Sequence, residues 1–186
     1  MNFIKYMTFF LLMNIALSQK ILIPMDNVQT NHLKAYGIAF LHLENGNEIE
    51  WLLNYRGGSF LMDNQDNVEN TCLVRGVNYE LINSTALSEI FTTIESNNMD
   101  IILLEKVPKI AVYSPPGKQH WDDAVTLALT FADIKYDVVF DDEVMSNKIN
   151  DYDWLHLHHE DFTGQYGKFY RSYSCLLYTS PSPRDS

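Results

Sequence analysis

The most concentrated group of reactive side chains lies at residues 156–161, which read His-Leu-His-His-Glu-Asp. In a β-strand alternate side chains share a face, so His156 and His158 point to one side and the residues after them emerge at the strand end. Imidazole and carboxylate groups together are typical zinc ligands, which makes His156, His158 and Glu160 a candidate zinc site. The alternative is that both histidines are hydrogen-bonded inside a packed sheet and that the acidic residues cap the next helix.

A second candidate site directly follows an apolar run that predicts a strand, and it consists of Arg56, Gly57, Gly58 and Ser59. Successive glycines allow backbone N–H groups to approach an anion, and an arginine can clamp a carboxylate or a phosphate. The alternative is an ordinary turn between two strands. Another polar residue, Ser114, follows a further predicted strand, but the Pro-Pro-Gly-Lys-Gln sequence after it lacks the spacing of a phosphate loop.

The elements predicted in the second half of the chain decide whether these side chains meet. Strands are predicted at 107–113, 136–140 and 153–158. Apolar residues at helical spacing predict a helix over 121–132, with Asp122 and Asp123 in its first turn. Parallel strands joined by right-handed crossovers end at the same edge of a sheet. We therefore expect a common crevice that is faced by Ser114, His158, His159 and Glu160.

The first half of the chain shows a similar alternation. Strands are predicted at 20–25, 48–55 and 79–82, and helices at 32–43, 67–75 and 84–94. Because a helix connects the first two strands, the pattern predicts a parallel sheet here as well. If this half docks in the same sense as the second, residues 56–59 join the crevice. Residues 96–100 have neither a helical nor a strand period and are the predicted linker.

These elements predict an α/β fold with mostly parallel sheets flanked by helices, in a Rossmann-like arrangement. The predicted divisions of the chain are a signal peptide at 1–18, a first α/β half at 19–100, a second α/β half at 101–174 and a non-native tail at 175–186.

The first 18 residues have the layout of a secretory signal peptide. Lys5 precedes an apolar run over residues 6–17, which is shorter than the roughly 20 residues of a membrane-spanning helix. Small residues near the end of this run predict cleavage after Ser18, and an uncleaved membrane anchor is the alternative. We expect export to the periplasm or cell envelope, or secretion, with membrane contact only through the signal peptide.

The composition is that of a globular protein, with 46% hydrophobic and 20% charged residues. The formal net charge of −11 excludes a role in nucleic-acid binding, because neutralising phosphates requires a basic surface. Cys72 is the one cysteine before the predicted tail, so no disulfide is expected there, and a packed thiol is favoured over a nucleophile.

The order of elements in residues 107–158 resembles the opening of the class I glutamine amidotransferase-like fold. In that family a strand such as 109–113 is followed by a helix and a second strand, and a strand such as 151–157 delivers a loop to the active site. The family usually has Pro-Gly-Gly after this strand, where this chain has His-His-Glu-Asp at 158–161. The resemblance implies a catalytic cysteine and histidine still further along the family's sequence, so neither role is assigned to a residue here.

A wider resemblance covers nearly all of residues 20–173, through sequences such as KILIPMD, WLLNYRGGSF and YDWLHLHHEDFTGQYGKF. They look like a family of exported proteins from Bacteroidetes-type bacteria that is often labelled asparagine synthetase B. A glutamine-hydrolysing asparagine synthetase uses a cysteine at position 2 and a Ser-Gly-Gly-x-Asp-Ser loop. Here position 2 is Asn2 and the loop is absent, so the visible motifs do not support that activity. Residues 175–186 resemble a translated sequencing adapter, which implies a fold that is truncated at the C-terminus.

Three functions fit these observations. The first is an amidotransferase-like scaffold that binds a small anionic or carbohydrate ligand. The second is a metal-dependent hydrolase that uses the cluster at 156–161. The third is a non-catalytic subunit of an envelope complex. The residues themselves assign no reaction.

Overall fold

The computed structural model describes residues 20–65, 67–116 and 123–157, which form a five-stranded sheet followed by a three-stranded sheet. The elements of the first part are β1 Lys20–Ile23, α1 His32–Glu44, β2 Ile49–Leu53, β3 Ser59–Asp63, α2 Val68–Arg75, β4 Glu80–Ile82, α3 Ser84–Ser96 and β5 Asp100–Leu104. Those of the second part are β6 Ile110–Tyr113, α4 Ala124–Ala132, β7 Asp137–Val139, α5 Asp141–Met145 and β8 Trp154–Leu157. The predicted α/β class is confirmed.

The five-stranded sheet has the order β4-β1-β3-β2-β5, and all its neighbouring strands are antiparallel. The prediction of a parallel sheet in the first half is therefore wrong. Strands β1 and β2 do run in the same direction, but β3 lies between them and is antiparallel to both. The succession from β1 to β4 is the β-α-β-β-α-β arrangement of ferredoxin-like folds, to which α3 and β5 are added.

Helices cover both faces of this sheet. Ile21 and Ile23 of β1 pack with residues of α1 and α2, whereas Leu22 packs with Ile90 and Ile94 of α3 on the other side. Strands buried on both faces are continuously apolar, which is the pattern usually seen in parallel sheets. The prediction of a parallel sheet rested on the helix that connects β1 and β2. That connection makes the two strands run in the same direction, but it does not make them neighbours.

The predicted linker at 96–100 is a short turn within the first part of the structure. Helix α3 begins after Asn83, whose Oδ1 accepts from the N–H of Ala86 at 2.9 Å, and it continues to Ser96. Strand β5 begins at Asp100 and pairs with β2 along its whole length. The sequence analysis missed β5.

The second sheet is parallel, as predicted, with the order β7-β6-β8. The chain runs through β6, α4, β7, α5 and β8 in that order. Strand β6 is central in the sheet, with β7 on one side and β8 on the other. In the register between β6 and β8, Val112 pairs with His156 and Tyr113 with Leu157. Both strands therefore end at the same edge of the sheet.

Helices α1 and α4 hold the two parts together. Gly37 of α1 lies so close to Ala132 of α4 that a Cβ atom added at Gly37 would be 1.8 Å from the Ala132 carbonyl oxygen. Lys34 Nζ lies 2.9 Å from Asp133 Oδ2, directly beyond this contact, and 4.9 Å from the centre of the Phe131 ring. The absence of a side chain at Gly37 is what allows the two helices to meet.

Within the part of the chain that the structure describes, no helix has the length and apolar character needed to cross a membrane.

Candidate functional site

The candidate site lies at the edge where β6 and β8 end. In open parallel sheets a ligand binds outside the carboxyl ends of the strands, at the point where successive connections leave in opposite directions. Here β7 lies on one side of β6 and β8 on the other, so this point falls between β6 and β8. The side chains that follow or flank these two strand ends are therefore the candidate ligand-binding groups.

Ser114 is the first residue after β6 and is almost fully buried, with 2% of its surface exposed. Its N–H donates to the carbonyl oxygen of Val139 at 3.0 Å, which continues the pairing of β6 with β7 by one residue. Its Oγ, in contrast, is buried without a hydrogen-bond partner. A buried polar group that is left unpaired costs roughly 1–3 kcal/mol, so it requires an explanation. A ligand hydroxyl or carbonyl at this position would supply the partner.

Asp123, which is buried, and His156, which is partly buried, form a pair at the same end of the sheet. His156 Nε2 lies 3.0 Å from Asp123 Oδ1, and Asp123 is 6% exposed. Asp123 is also the N-cap of α4, because the same oxygen accepts from the N–H groups of Val125 at 2.7 Å and Thr126 at 3.2 Å. The aspartate thus joins the start of α4 to β8 and fixes the orientation of the imidazole ring.

The environment of Asp123 stabilises its charged form. Burial alone would raise the pKa of this carboxyl group. The N–H groups of Thr126 and Val125 and the adjacent His156 outweigh burial, so the pKa of Asp123 lies below its ordinary value of 3.8. A carboxylate with these three partners is therefore ionised at neutral pH.

Ser114 and His156 lie on the same face of the sheet. Paired residues of parallel strands project to one side, and His156 pairs with Val112 of β6. Ser114 follows Val112 by two residues in a strand whose pairing continues to Ser114, so its side chain returns to that side. The edge therefore combines an unpaired hydroxyl, an oriented imidazole and a buried carboxylate.

Arg56, predicted as an anion clamp, already binds two carboxylates. Its Nε lies 2.8 Å from Asp26 Oδ2, and its Nη1 lies 2.7 Å from Glu80 Oε1. The hydrogen bond from Arg56 is the main reason that the pKa of Asp26 is lowered. The positive charge of Arg56 is therefore offset within the protein, and an anionic ligand would have to displace these partners.

Gly57 and Gly58 belong to the connection between the antiparallel strands β2 and β3, and Ser59 is the first residue of β3. This connection is the ordinary turn between two strands that the sequence left as the alternative. Gly57 has φ +81°, and a Cβ atom there would lie 2.4 Å from the carbonyl oxygen of Met25. The Ser59 hydroxyl lies 3.1 Å from the carbonyl oxygen of Tyr55 and 3.2 Å from that of Arg56. In the described residues no hydrogen bond or ion pair connects Arg56 or Ser59 with Ser114 or His156.

His158, His159 and Glu160 lie outside the described residues, so two members of the predicted zinc site, His158 and Glu160, are not placed. Across residues 20–65, 67–116 and 123–157, no group of three or more His, Cys, Asp or Glu side chains is arranged to hold a metal ion. His156 has Asp123 as its partner instead. Zinc binding stays a hypothesis.

Asp123 is a site residue that the sequence analysis did not recognise. It was predicted in the first turn of a helix that begins at 121, whereas it is the N-cap of α4, which begins at Ala124. It was interpreted only as a charge in the first turn of a helix. A stronger signal was available, because the helix after the first strand of a parallel β-α-β unit begins at the ligand-binding edge, which puts its N-cap there. The partner His156 is 33 residues away in sequence, and no local pattern relates the two.

Cys72 is a packed thiol, as expected. It lies on α2, is fully buried in the core and is a free thiol. Burial raises the pKa of the Cys72 thiol to about 11, so the group is protonated at neutral pH and is not a nucleophile.

Comparisons with known proteins give little further information. No protein-family model matches the chain, and no curated protein has significant sequence similarity to it. Among solved structures, a formyltetrahydrofolate deformylase from Pseudomonas putida KT2440 is similar at 13% sequence identity and a TM-score of 0.20. That match covers 85% of this chain and 55% of the deformylase chain, so the chain spans about half of its length. A likeness this weak does not bear on function.

Proposed function

We propose that this protein is an α/β scaffold, similar in its second part to class I glutamine amidotransferases, that binds a small ligand at the carboxyl edge of β6 and β8. The observation that carries the proposal is the buried, unpartnered Ser114 Oγ, on the same face as the His156–Asp123 pair. These groups lie where parallel sheets bind ligands. The predicted site at 56–59 is a separate feature, and ligand binding at the edge of β6 and β8 does not require it.

The charges of the site favour a carbohydrate over an anion. The N-terminus of α4, which would otherwise attract an anion, is already occupied by the Asp123 carboxylate. The formal net charge of the whole chain is −11, which adds repulsion. A sugar hydroxyl, in contrast, both donates and accepts, and can therefore pair with the Ser114 hydroxyl and the carboxylate.

Binding is expected to depend on Ser114 without a matching effect on stability. We expect Ser114→Ala to weaken binding of a monosaccharide at least about tenfold, because one direct hydrogen bond is lost in a buried site. Its free energy of unfolding should stay unchanged or rise, since the unpaired hydroxyl is removed. The measurement is titration calorimetry of the purified protein with a panel of neutral monosaccharides, and with phosphate and citrate as anionic probes.

Ser59→Ala is the matched control, because Ser59 is also a buried serine but its hydroxyl has two carbonyl partners. We expect this variant to lose about 1 kcal/mol of stability and to bind as the wild type does. Tight binding of phosphate or citrate without binding of any sugar would contradict the carbohydrate proposal. Equal loss of binding in both serine variants would contradict the assignment of Ser114.

A zinc-dependent hydrolase is the second candidate, and the His156–Asp123 pair is the observation that favours it. Histidines that bind zinc commonly have their second ring nitrogen held by a carboxylate. Residues 158 and 160 would have to supply further ligands. One equivalent of zinc in the purified protein, lost in His156→Ala, would favour this function over the carbohydrate scaffold.

We also propose that the protein is exported, on the basis of the apolar run at 6–17. We expect the protein recovered from the cell envelope or periplasm to begin at Gln19 or within a residue or two of it. Mass spectrometry of the intact protein measures this directly. Recovery of the form that begins with Met1 from the soluble cytoplasmic fraction would contradict export.

A further inference from the structure

Strand β5 forms an open edge of the five-stranded sheet. It pairs with β2 on one side, and no described residue pairs with its other side. Four of its five residues are exposed, including Ile101 at 36%, Ile102 at 41% and Leu103 at 50%. Proteins usually protect such an edge with proline, a bulge or a charge in the middle of the strand, and β5 has none of these between Ile101 and Leu104.

We propose that β5 pairs in antiparallel orientation with β5 of a second copy of this chain, so that the two five-stranded sheets join across a two-fold axis. The backbone of β5 is arranged for this pairing. The N–H of Ile101 donates to Asp100 Oδ1 at 2.8 Å and therefore does not point at β2. Because the direction of backbone groups alternates along an antiparallel strand, Leu103 also presents its N–H and C=O groups to the open side. Pairing with a second copy would extend β5 beyond Leu104, which brings Glu105 into the same orientation.

The charges around β5 make the segment 100–106 complementary to itself. Asp100 is the first residue of β5, and Lys106 lies two residues beyond its end at Leu104. When Leu103 lies on the two-fold axis, Asp100 of each copy is opposite Lys106 of the other, which forms two ion pairs. Moving the axis to Ile102 would instead place Asp100 opposite Leu104 and leave Lys106 unpaired. Opposite charges across a strand pair are favourable, so the register centred on Leu103 is preferred.

The same register pairs the remaining residues well. Ile102 of each copy lies opposite Leu104 of the other, and the two Leu103 side chains meet at the axis. The outward backbone groups of Ile101 pair with those of Glu105. The Asp100 carboxylate, released from the N–H of Ile101 by this pairing, is then available to Lys106. A second copy satisfies both the backbone and the charges, which is why it is favoured over an unrelated strand.

The test is sedimentation equilibrium of the purified protein and of two leucine-to-lysine variants. Leu103→Lys places two like charges at the axis and is expected to weaken the dimer at least about tenfold. The matched control is Leu81→Lys, because Leu81 is 43% exposed on β4, the opposite edge strand of the same sheet. It should dimerise as the wild type does. A wild-type protein that stays monomeric at its solubility limit, or a dimer lost in Leu81→Lys and kept in Leu103→Lys, would overturn the proposal.

Charge reversal tests the register. Asp100→Lys and Lys106→Asp should each weaken the dimer, and the double variant should recover most of the wild-type affinity because the pairs are restored with reversed sign. A double variant that dimerises no more tightly than the single variants would overturn the pairing of Asp100 with Lys106.

Hydrogen exchange is an independent test, since the amides of Ile101 and Leu103 should become protected from exchange as the protein concentration rises. Amides that exchange equally fast at all concentrations would contradict pairing at β5.

Discussion

Gly37→Ala is expected to lower the free energy of unfolding by about 2–3 kcal/mol, although alanine is normally the better helix former by about 1 kcal/mol. The added Cβ atom would lie 1.8 Å from the carbonyl oxygen and 2.9 Å from the carbonyl carbon of Ala132. These are backbone atoms of α4, so they cannot rotate away as a side chain would. Helices α1 and α4 must therefore separate, and the packing between the two parts of the protein is lost. Urea unfolding followed by circular dichroism measures the change.

Gly46→Ala is the control for this variant. Gly46 lies directly after α1 with φ +83°, and no atom lies within 4 Å of the position that its Cβ would take. It should lose about 1 kcal/mol, from backbone strain alone. A Gly37→Ala protein as stable as the wild type would contradict the close approach of α1 and α4.

Asp123→Ala is expected to lower the free energy of unfolding by about 2–3 kcal/mol, since it removes a helix cap and also removes the carboxylate partner of the partly buried His156 imidazole. The carboxylate accepts from Val125, Thr126 and His156. Asn83→Ala is the matched control, because Asn83 caps α3 through a single exposed hydrogen bond to Ala86. That variant should lose about 1 kcal/mol. Chemical unfolding of both variants gives the comparison, and equal losses would mean that the contact with His156 contributes nothing.

The contribution of Asp123 should also depend on pH. Its pKa in the folded protein lies below the ordinary carboxyl value, so folding favours the ionised form. The stabilisation is therefore fully present above about pH 4 and is lost as the pH falls through the lowered folded-state pKa. Asp123→Asn keeps an oxygen acceptor but does not titrate. The stability difference between wild type and Asp123→Asn should shrink between about pH 6 and about pH 3, and a difference that is independent of pH would contradict the lowered pKa.

The local periodicity of the sequence was enough to place most of the secondary structure. The helices at 67–75 and 84–94 and the strands at 107–113, 136–140 and 153–158 were predicted within a few residues of the observed bounds. In the second part, strands alternate with helices along the chain, so the parallel arrangement followed from the order of elements. The edge that holds Ser114 was predictable for the same reason.

Strand direction in the first part was not determined by the sequence. Residues 21–23 and 60–62 are continuously apolar because α3 covers the face of the sheet opposite α1 and α2. That pattern reports burial on both faces and is the same for parallel and antiparallel strands. Whether β3 inserts between β1 and β2 depends on contacts across the whole sheet, which no window of the sequence contains.

Side-chain partners were decided by the tertiary structure alone. Arg56 appeared available for an anion until the fold placed Asp26 and Glu80, which are 30 and 24 residues away, against its guanidinium group. Asp123 and His156 meet across 33 residues in the same way. A sequence specifies which groups can donate, accept or carry charge, but hydrogen bonds extend only about 3 Å. Their partners are therefore set by the packing of distant elements. This packing gives Arg56 two carboxylate partners and leaves Ser114 Oγ without a hydrogen-bond partner.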